Sequence, residues 1–534
     1  MSKPRFRIGS DGSNVRELSV PATQSRPSSA YMKNEASPVF AGWRPQLRDA
    51  SDDVRAGWVA AAARAIDAIH NSGWLAGAID QIVALTNGTG LGLVAKPDPV
   101  SLGWSVEQAS AWRKLVEVRW EAWAASPIEC DLAGRMTIGQ MGAAALRTWF
   151  ATGEIVAGLP WRNRIGAQTK TKVQLIAPHR LAQTTLEFER LFQGVRMNAD
   201  GMPIGYRFNV KDRFLGEREI ERPARDAYGR PIVIHVFDGG PGQVRGITCL
   251  APTLKIVRQY DQLSDGTLTA AMIQTIFSAT VESEAPTEEI LRALQDEGEQ
   301  TTTQGVGSPG IDGLMAARGG WYDGTRIDLG VHGKIAHMFP GETLKFNRSE
   351  HPNSNYEAFA KFLLREIARC LGITVETLTG DYSDATYSSV RMATSETWPL
   401  VLYRRSIILG RFLQQIYSAW LEEEIDAGRI PFPGGIENFI LNRAMATRAE
   451  WRGPPKPTAD ELKAAKANEI NLRMKVTTRS AIAAENGEDW EDLDEQEARE
   501  IANRGRLGLP EIVLTQNGTP PADDEGEDDK KEAA

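Results

Sequence analysis

The chain of 534 residues has little cysteine and no long apolar run. Its three cysteines, Cys130, Cys249 and Cys370, are far apart in sequence and form no Cys-x-x-Cys pair. This spacing argues against a disulfide framework and against a zinc site, and it favours reduced thiols. No apolar stretch reaches the roughly eighteen residues of a membrane span, so we expect no contact with a membrane. The N-terminus is basic but has no apolar core, so we expect no secretory signal and folding in the cytosol.

The chain also lacks a basic excess. Its formal net charge is −9 and its isoelectric point is about 5.5. Proteins that hold phosphate groups tightly usually carry a positive surplus, so this balance argues against static or sequence-specific DNA binding. It is compatible with DNA that slides past the protein, because an acidic wall repels the phosphate backbone.

Sequence patterns of common active sites are missing as well. Gly333-Lys334 is followed by Ile335, where a phosphate-binding loop needs Ser or Thr. The glycines of 87–92 follow a predicted helix rather than a strand, which favours a turn that ends the helix. His332 and His337 have no nearby cysteine and are interpreted as exposed or interface residues rather than metal ligands.

Two acidic runs, 421–424 and 489–500, could supply carboxylates to a nuclease metal site. Their helical pattern favours a solvated face instead. We therefore predict no catalytic residue, no metal site, no cofactor and no enzyme activity.

The pattern of apolar residues predicts a mainly helical α+β protein of about two to four structural units. A stripe of Trp112, Val116, Trp120 and Trp123, preceded by a capping box of Ser105 and Gln108, predicts one buried helix. We expect a helix break near Asp265-Gly266 and a kink or restart at Pro399. The predicted segments are a Ser/Pro/Arg-rich arm, helices over 51–152, a β-rich part over 154–250, helices over 251–283, an irregular glycine-rich part over 284–350, helices over 355–370 and 388–427, and a helical C-terminal unit after the Pro-rich 451–461.

Residues 367–391, IARCLGITVETLTGDYSDATYSSVR, are the most informative segment. A helix should end at Gly372 and a short helix should follow around Val375–Leu378. Next comes a polar run whose candidate contact residues are Tyr382, Ser383, Tyr387, Ser388, Ser389 and Arg391. Such a loop suits contact with a long partner more than turnover of a substrate. The alternative is that either tyrosine is an ordinary turn aromatic packed on a neighbouring helix.

Several segments in the same order resemble the lambda-type portal proteins of tailed bacteriophages. The segments that carry the resemblance are NGTGLGL at 87–93, GMPIGYRF at 201–208, 233–254, 340–391 and 451–493. The Asp-Tyr-Ser and Tyr-Ser-Ser strings of 381–389 are the most specific part, although Thr386 stands where the family pattern has Asn.

The resemblance implies a portal fold assembled as a ring of twelve subunits. The parts it implies are a flexible arm (1–50), a wing (51–250), first stem helices (251–283), a clip (284–350), a second stem helix (351–372), a tunnel loop region (373–391), a long wing helix (392–450), a crown (451–510) and an acidic disordered tail (511–534). Arg365 on the second stem helix and Arg391 are the implied cations near DNA.

The implied function is a channel for double-stranded DNA at one capsid vertex, used in packaging and in ejection. The implied partners are other copies of the chain, DNA bound non-specifically, the terminase large subunit, the major capsid and scaffold proteins, and a head-completion or adaptor protein. The implied location is the virion, with assembly in the host cytoplasm. The alternatives are another ring-forming virion protein, such as an adaptor or baseplate component, and a terminase or nuclease subunit.

Overall fold

A computed structural model describes residues 45–212, 216–276, 279–283, 320, 342–346, 356–383, 385–458 and 460–510. Most of the predicted arm, nearly all of the predicted clip with His332 and His337, and the predicted acidic tail lie outside these residues. The described part is mainly helical with small antiparallel sheets, which confirms the predicted α+β class.

The described helices are α1 (Ala50–Asn71), α2 (Gly73–Thr86), α3 (Pro99–Leu102), α4 (Val106–Ala125), α5 (Pro127–Cys130), α6 (Ile138–Thr152), α7 (Leu254–Ile276), α8 (Tyr356–Leu371), α9 (Val375–Thr379), α10 (Tyr387–Arg404), α11 (Arg411–Asp426), α12 (Gly435–Leu441), α13 (Arg443–Ala446), α14 (Glu461–Arg473), α15 (Arg479–Glu485) and α16 (Trp490–Leu507). Two single 3-10 turns lie at Pro178–Arg180 and Glu187–Glu189, and a π-helical segment joins α10 to α11 at Arg405–Gly410.

The strands are β1 (Gly92–Ala95), β2 (Glu154–Gly158), β3 (Gln174–Ile176), β4 (Leu191–Phe192), β5 (Val195–Met197), β6 (Pro203–Asp212), β7 (Gly216–Pro223), β8 (Val233–Phe237), β9 (Ala279–Ser283), β10 (Glu342–Phe346) and β11 (Ala449–Arg452). They form four antiparallel sheets with the orders β3-β2-β8, β4-β5-β6-β7, β1-β11 and β9-β10.

Local signals placed the early helices correctly. The predicted capping box starts α4: the Ser105 hydroxyl accepts from the Gln108 amide, and the Gln108 side chain accepts from the Ser105 amide at 3.0 Å. The predicted stripe of α4 is buried throughout. A second box of Thr137 and Gln140 starts α6 in the same way.

The predicted break in α7 is wrong, and α10 does not restart at Pro399. Helix α7 runs through Asp265-Gly266 without interruption for 23 residues. A glycine inside a helix costs about 1 kcal/mol relative to alanine, and this cost did not end α7. The chain then turns into a strand at Ala279, where the sequence pattern predicts helix up to residue 283.

Helix α10 likewise passes through Pro399, and the irregular turn comes later, at the π-helical segment. There the buried Arg405 donates from Nε to the Thr86 carbonyl at 3.1 Å and from Nη2 to the Leu85 carbonyl at 3.0 Å. These are the last two residues of α2, whose carbonyls have no partner inside their own helix. The π-helical segment therefore lies where Arg405 contacts the end of α2, and not at Pro399.

Two strand pairs join parts of the chain that are distant in sequence. Strand β11 pairs with β1, with Trp451 opposite Leu93, so the beginning of the predicted Pro-rich linker is a strand. Strand β10 pairs with β9 over five residues, which closes the base of the predicted clip. Neither strand was predicted.

The principal core lies between the helices of the first 152 residues and the later helices α8, α9 and α11. Within it, Trp120 makes edge-on contacts to Tyr417, Trp420 and Trp451 at centroid distances of 5.6, 5.3 and 5.6 Å. A smaller core lies between the two larger sheets, around Val195 and Phe208. Most tryptophans of the described part are therefore packed inside the chain.

Candidate functional site

The candidate site begins where α8 ends. Gly372 has a φ of 70° and ends the helix, as predicted, and its amide donates to the Arg369 carbonyl at 3.1 Å. A Cβ at this position would lie 2.6 Å from Cδ1 of Leu400 in α10. The backbone angle favours glycine, and the end of α8 lies directly beside the Leu400 side chain of α10.

The predicted short helix is α9. Its cap is Thr374, whose hydroxyl accepts from the Thr377 amide at 3.2 Å, and Leu378 anchors it in the principal core. Gly380, with a φ of 68°, ends it. Between α9 and α10 the chain is therefore a short connection held at both ends by packed helices.

Asp381 organises this connection. Its Oδ1 accepts from the Ser383 amide at 3.1 Å and from the Ser383 hydroxyl at 2.6 Å. These bonds to Ser383 lower the pKa of the Asp381 carboxyl, which stays ionised at neutral pH. Its Oδ2 lies 3.7 Å from Nζ of Lys361 on α8. The loop is thereby tied to the helix that precedes it.

Helix α10 begins at Tyr387, whereas the predicted tunnel loop region extends to residue 391. The Thr386 hydroxyl accepts from the Ser389 amide at 3.3 Å, and the Ser389 hydroxyl accepts from the Thr386 amide at 2.9 Å. Threonine thus makes the capping box in the place where the family pattern has Asn. Tyr387, Ser388 and Arg391 consequently lie in the first two turns of α10 rather than in the loop.

The hydroxyls of the three predicted serines make local hydrogen bonds. The Ser389 hydroxyl donates to the Thr386 carbonyl at 2.7 Å, and that of Ser388 lies 3.2 Å from Oγ1 of Thr386. Together with Ser383, these hydroxyls stabilise the loop and the helix start. Tyr382 is different, because 48% of it is exposed at the wall of a cavity of about 170 Å³ beside α9 and α10. The Tyr387 backbone starts α10, and its side chain lies outside the described part.

The two predicted cations are in different surroundings. Arg365 is exposed on the face of α8 opposite its buried residues, beside the exposed Phe362. Arg391 lines a cleft between α10 and the beginning of α14. Sequence reasoning did not place Lys456 and Lys463, two further cations that line the cleft, beside Arg391, because they are more than sixty residues away in the chain.

The acidic run of 421–424 is not a solvated face, contrary to the prediction. Glu422, Glu423 and Glu424 are buried in α11. Glu423 accepts from the amides of Lys170 and Thr171 at 2.6 and 2.7 Å. Buried carboxylates persist where hydrogen bonds and opposite charges compensate them, so this run holds the β-rich part against α11.

Glu424 pairs with Arg119 at 3.2 Å and with Arg429 at 2.7 Å. Glu422 pairs with Arg443 on α13. The run thus meets backbone amides and arginines. In the described part of the chain, no group of three or more His, Cys, Asp or Glu residues could hold a metal ion.

The three cysteines are free thiols. Burial raises the pKa of Cys130 and of Cys249 to about 12, so both stay protonated at neutral pH. The Cys370 thiol donates to the Cys249 carbonyl at 3.0 Å. As for the membrane, none of the described helices combines the length and apolar character of a span.

The sequence of the chain matches a known protein family. Residues 37–405 match the family described as phage portal protein, lambda family. The chain is 26% identical over 483 residues to Portal protein B of Escherichia phage lambda, with 88% of each chain covered. It is 26% identical over 480 residues to the portal protein of Escherichia phage N15, again with 88% of each covered.

Among solved structures, the chain is similar to one titled "Neck of empty GTA particle computed with C6 symmetry". The identity is 14%, the TM-score is 0.45, and the alignment covers 90% of this chain and 100% of the other.

Proposed function

This chain belongs to the lambda family of phage portal proteins, and on that premise we propose that it forms a dodecameric ring at one vertex of a capsid, through which double-stranded DNA enters and leaves. The observation that carries the proposal is the span of the family match, which extends from before α1 to the end of α10. It therefore includes α7, α8, α9, the loop and α10 in one continuous order. A portal acts by guiding DNA, so we propose no catalytic residue and no cofactor of its own.

We assign the parts of the ring as follows. Helices α7 and α8 contact each other and form the stem, and the β9–β10 pair closes the base of the clip. Helix α10, the π-helical segment and α11 form the long wing helix, and α14 to α16 form the crown. The tunnel loop is the connection between α9 and α10.

The tunnel loop contacts DNA mainly through Tyr382. Its aromatic ring is the largest exposed side chain of the loop, whereas the neighbouring serine hydroxyls are engaged locally. The contact between Lys361 and Asp381 couples the loop to the stem, so a shift of α8 moves the loop with it. A ring of such loops would brace DNA against backward movement.

Electrostatics keep this contact weak. Twelve copies at −9 each bring more than a hundred formal negative charges around the DNA. Salt screens exposed charges beyond about 10 Å at 0.1 M ionic strength, so the charges at the channel wall decide the interaction. Local cations such as Arg365 and Arg391 offset the repulsion without holding the DNA in place.

The partners follow from this role. The terminase large subunit would dock on the clip during packaging, and a head-completion or adaptor protein would replace it afterwards. The wing would face the major capsid and scaffold proteins. The ring would assemble in the host cytoplasm and remain in the virion.

Electron microscopy of the purified protein tests the proposal. We expect end-on class averages with twelvefold symmetry and a central hole wide enough for B-form DNA. Monomers that scaffold protein does not convert into rings would overturn it. Hydrolysis of ATP, or DNA cleavage that depends on a divalent metal, would favour a terminase or nuclease instead.

A further inference from the structure

A cleft between the wing helix and the crown has the features of an anion site. It is a cavity of about 240 Å³ between the second turn of α10 and the Pro-rich segment that leads into α14. Its charged lining residues are Arg391, Lys456, Lys463 and Asp460. Residues from two separate parts of the chain thus contribute charge to one concave surface.

The cleft is positive in an acidic protein. Three cations and one carboxylate line it, which leaves a formal charge of +2, whereas the whole chain carries −9. The carboxylate of Asp460 is paired with Nζ of Lys463 at 3.3 Å. Arg391 and Lys456 have no ion-pair partner among the residues that the structure describes.

The backbone holds the lysine of the linker in place. Lys456 stands between Pro455 and Pro457. Proline fixes its own φ and restricts the residue before it to extended conformations. The position of Lys456 therefore costs little additional entropy when an anion binds.

Charge, rather than neutral hydrogen bonding, is what the cleft offers. The hydroxyls of Thr394 and Ser395 donate to carbonyls one turn back in α10, at 3.0 and 3.1 Å. The Asp460 side chain already caps α14 by accepting from the Lys463 amide at 3.0 Å. Besides the hydroxyl of Thr458, the remaining side-chain donors among the described lining residues are the guanidinium and the ammonium groups, which suit the oxygens of a phosphate group.

We propose that this cleft binds a phosphate group, and that its source is the backbone of the packaged DNA. Contacts of this kind carry no base information, which agrees with a channel that must accept any sequence. The inference rests on the proposed portal function. It places Arg391 of α10 in one binding site with residues at the beginning of the crown. DNA bound there would contact α10 and α14 at the same time.

The test uses assembled rings of the full chain and a short fluorescent duplex, with binding measured by anisotropy at several salt concentrations. The variant is R391Q/K456Q. The slope of the logarithm of the affinity against the logarithm of the salt concentration should become less steep. The change should be about 0.9 for each phosphate that the variant no longer neutralises, or about 1.8 if both cations bind DNA. The matched control is K466Q/R473Q, which removes two exposed cations of α14 outside the cleft. Equal slopes for the two double variants would overturn the proposal.

Two further measurements complete the test. D460N keeps a capping side chain and removes the one carboxylate among the described residues that line the cleft, so it should strengthen binding of the duplex. Inorganic phosphate that displaces the duplex only from rings with an intact cleft supports the site. A duplex that still binds the cleft variant as before, while only free phosphate binding is abolished, overturns DNA as the source. Ring formation is scored separately by microscopy. Rings without the slope change refute this inference alone, and monomers that scaffold protein does not convert into rings refute the portal function.

Discussion

The guanidinium of Arg404 donates a hydrogen bond of 2.6 Å from Nη2 to the carbonyl oxygen of Leu371, the last residue of α8. Both groups are buried, and the same guanidinium lies 5.2 Å from the ring centroid of Phe150. The last carbonyls of a helix have no partner inside that helix, so a side chain from α10 completes the end of α8. In the proposed ring, this bond joins the stem to the wing helix across the tunnel loop.

Replacing Arg404 with Met should destabilise the protein. The variant keeps a long apolar side chain but leaves the Leu371 carbonyl buried without its donor, at a cost of about 1–3 kcal/mol. Urea unfolding followed by tryptophan fluorescence measures the loss. Arg411→Met, at an exposed position of α11, is the control and should change little. Equal midpoints for the two variants would contradict the importance of the bond.

Gly372→Ala should destabilise the protein more than Gly380→Ala. Both glycines have a φ near 70°, and the left-handed conformation costs other residues about 1–2 kcal/mol. At Gly372 a Cβ would also lie 2.6 Å from Leu400, whereas at Gly380 nothing lies within 4 Å. The difference between the two thermal midpoints isolates the steric contribution. A larger loss for Gly380→Ala would refute the close packing of α8 on α10.

Glu154→Gln should lower the stability by about 3–5 kcal/mol at neutral pH, because it leaves a buried arginine without its counter-charge. Glu154 accepts from Nε of Arg245 at 2.9 Å and from the Gly246 amide at 3.1 Å, and Nε2 of His235 lies 3.0 Å from it. The matched control is Glu217→Gln, at an exposed pair with Lys211.

The buried pair of Glu154 and Arg245 also predicts that the stability depends on pH. Burial raises the pKa of Glu154, but the Arg245 charge and the hydrogen bonds from His235 and Arg245 outweigh it, so the net shift is downward. A lowered pKa in the folded state stabilises the protein above the unfolded value of about 4.3, and this contribution is lost as the pH falls through the folded value. The stability gap between the wild type and Glu154→Gln should therefore narrow in acid. A gap that widens below pH 4 would contradict the sign.

Glu423→Gln should cost about 1–3 kcal/mol, because an amide group cannot accept with both of its polar ends from the amides of Lys170 and Thr171. Glu497→Gln, on the exposed surface of α16, should be nearly neutral. Urea unfolding of the two variants distinguishes a structural carboxylate from a solvated one. If neither substitution changed the free energy of unfolding, the buried acidic run would not stabilise the fold.

Tyr382→Ala should leave the stability within about 0.5 kcal/mol of the wild type, since half-exposed surface positions rarely contribute more. In the proposed ring it should reduce the amount of DNA retained after packaging, measured as the fraction resistant to nuclease. Tyr228→Ala, another exposed tyrosine outside the loop, is the control. Equal retention in both variants would remove Tyr382 from the DNA contact.

Sequence reasoning succeeded where the signal is local. The end of α8 at Gly372, the short helix α9 and the stripe of α4 all follow from caps, glycines and helical periodicity within a few turns. It failed where distant groups decide the outcome. Pro399 did not interrupt α10, and the irregular turn instead lies where Arg405 meets the carbonyl end of α2.

Two adjacent arginines within an apolar helix are a usable signal of tertiary structure. Arg404 and Arg405 are buried. Arg404 donates to the Leu371 carbonyl at the end of α8, and Arg405 donates to two carbonyls at the end of α2. A buried guanidinium needs acceptors, so an Arg-Arg pair on an apolar helix predicts that helix termini converge on it.

The sequence by itself determined the family, the helical class and the positions of most helices, because these depend on ordered motifs, caps and spacing between near neighbours. Tertiary structure alone decided that Glu422 to Glu424 are buried, that β11 pairs with β1 and that Arg391 shares a cleft with Lys456. Those relations depend on which distant surfaces meet. A carboxylate or a cation carries no local mark of its partner, and its role is set by the charge and the hydrogen-bonding groups that folding brings to it.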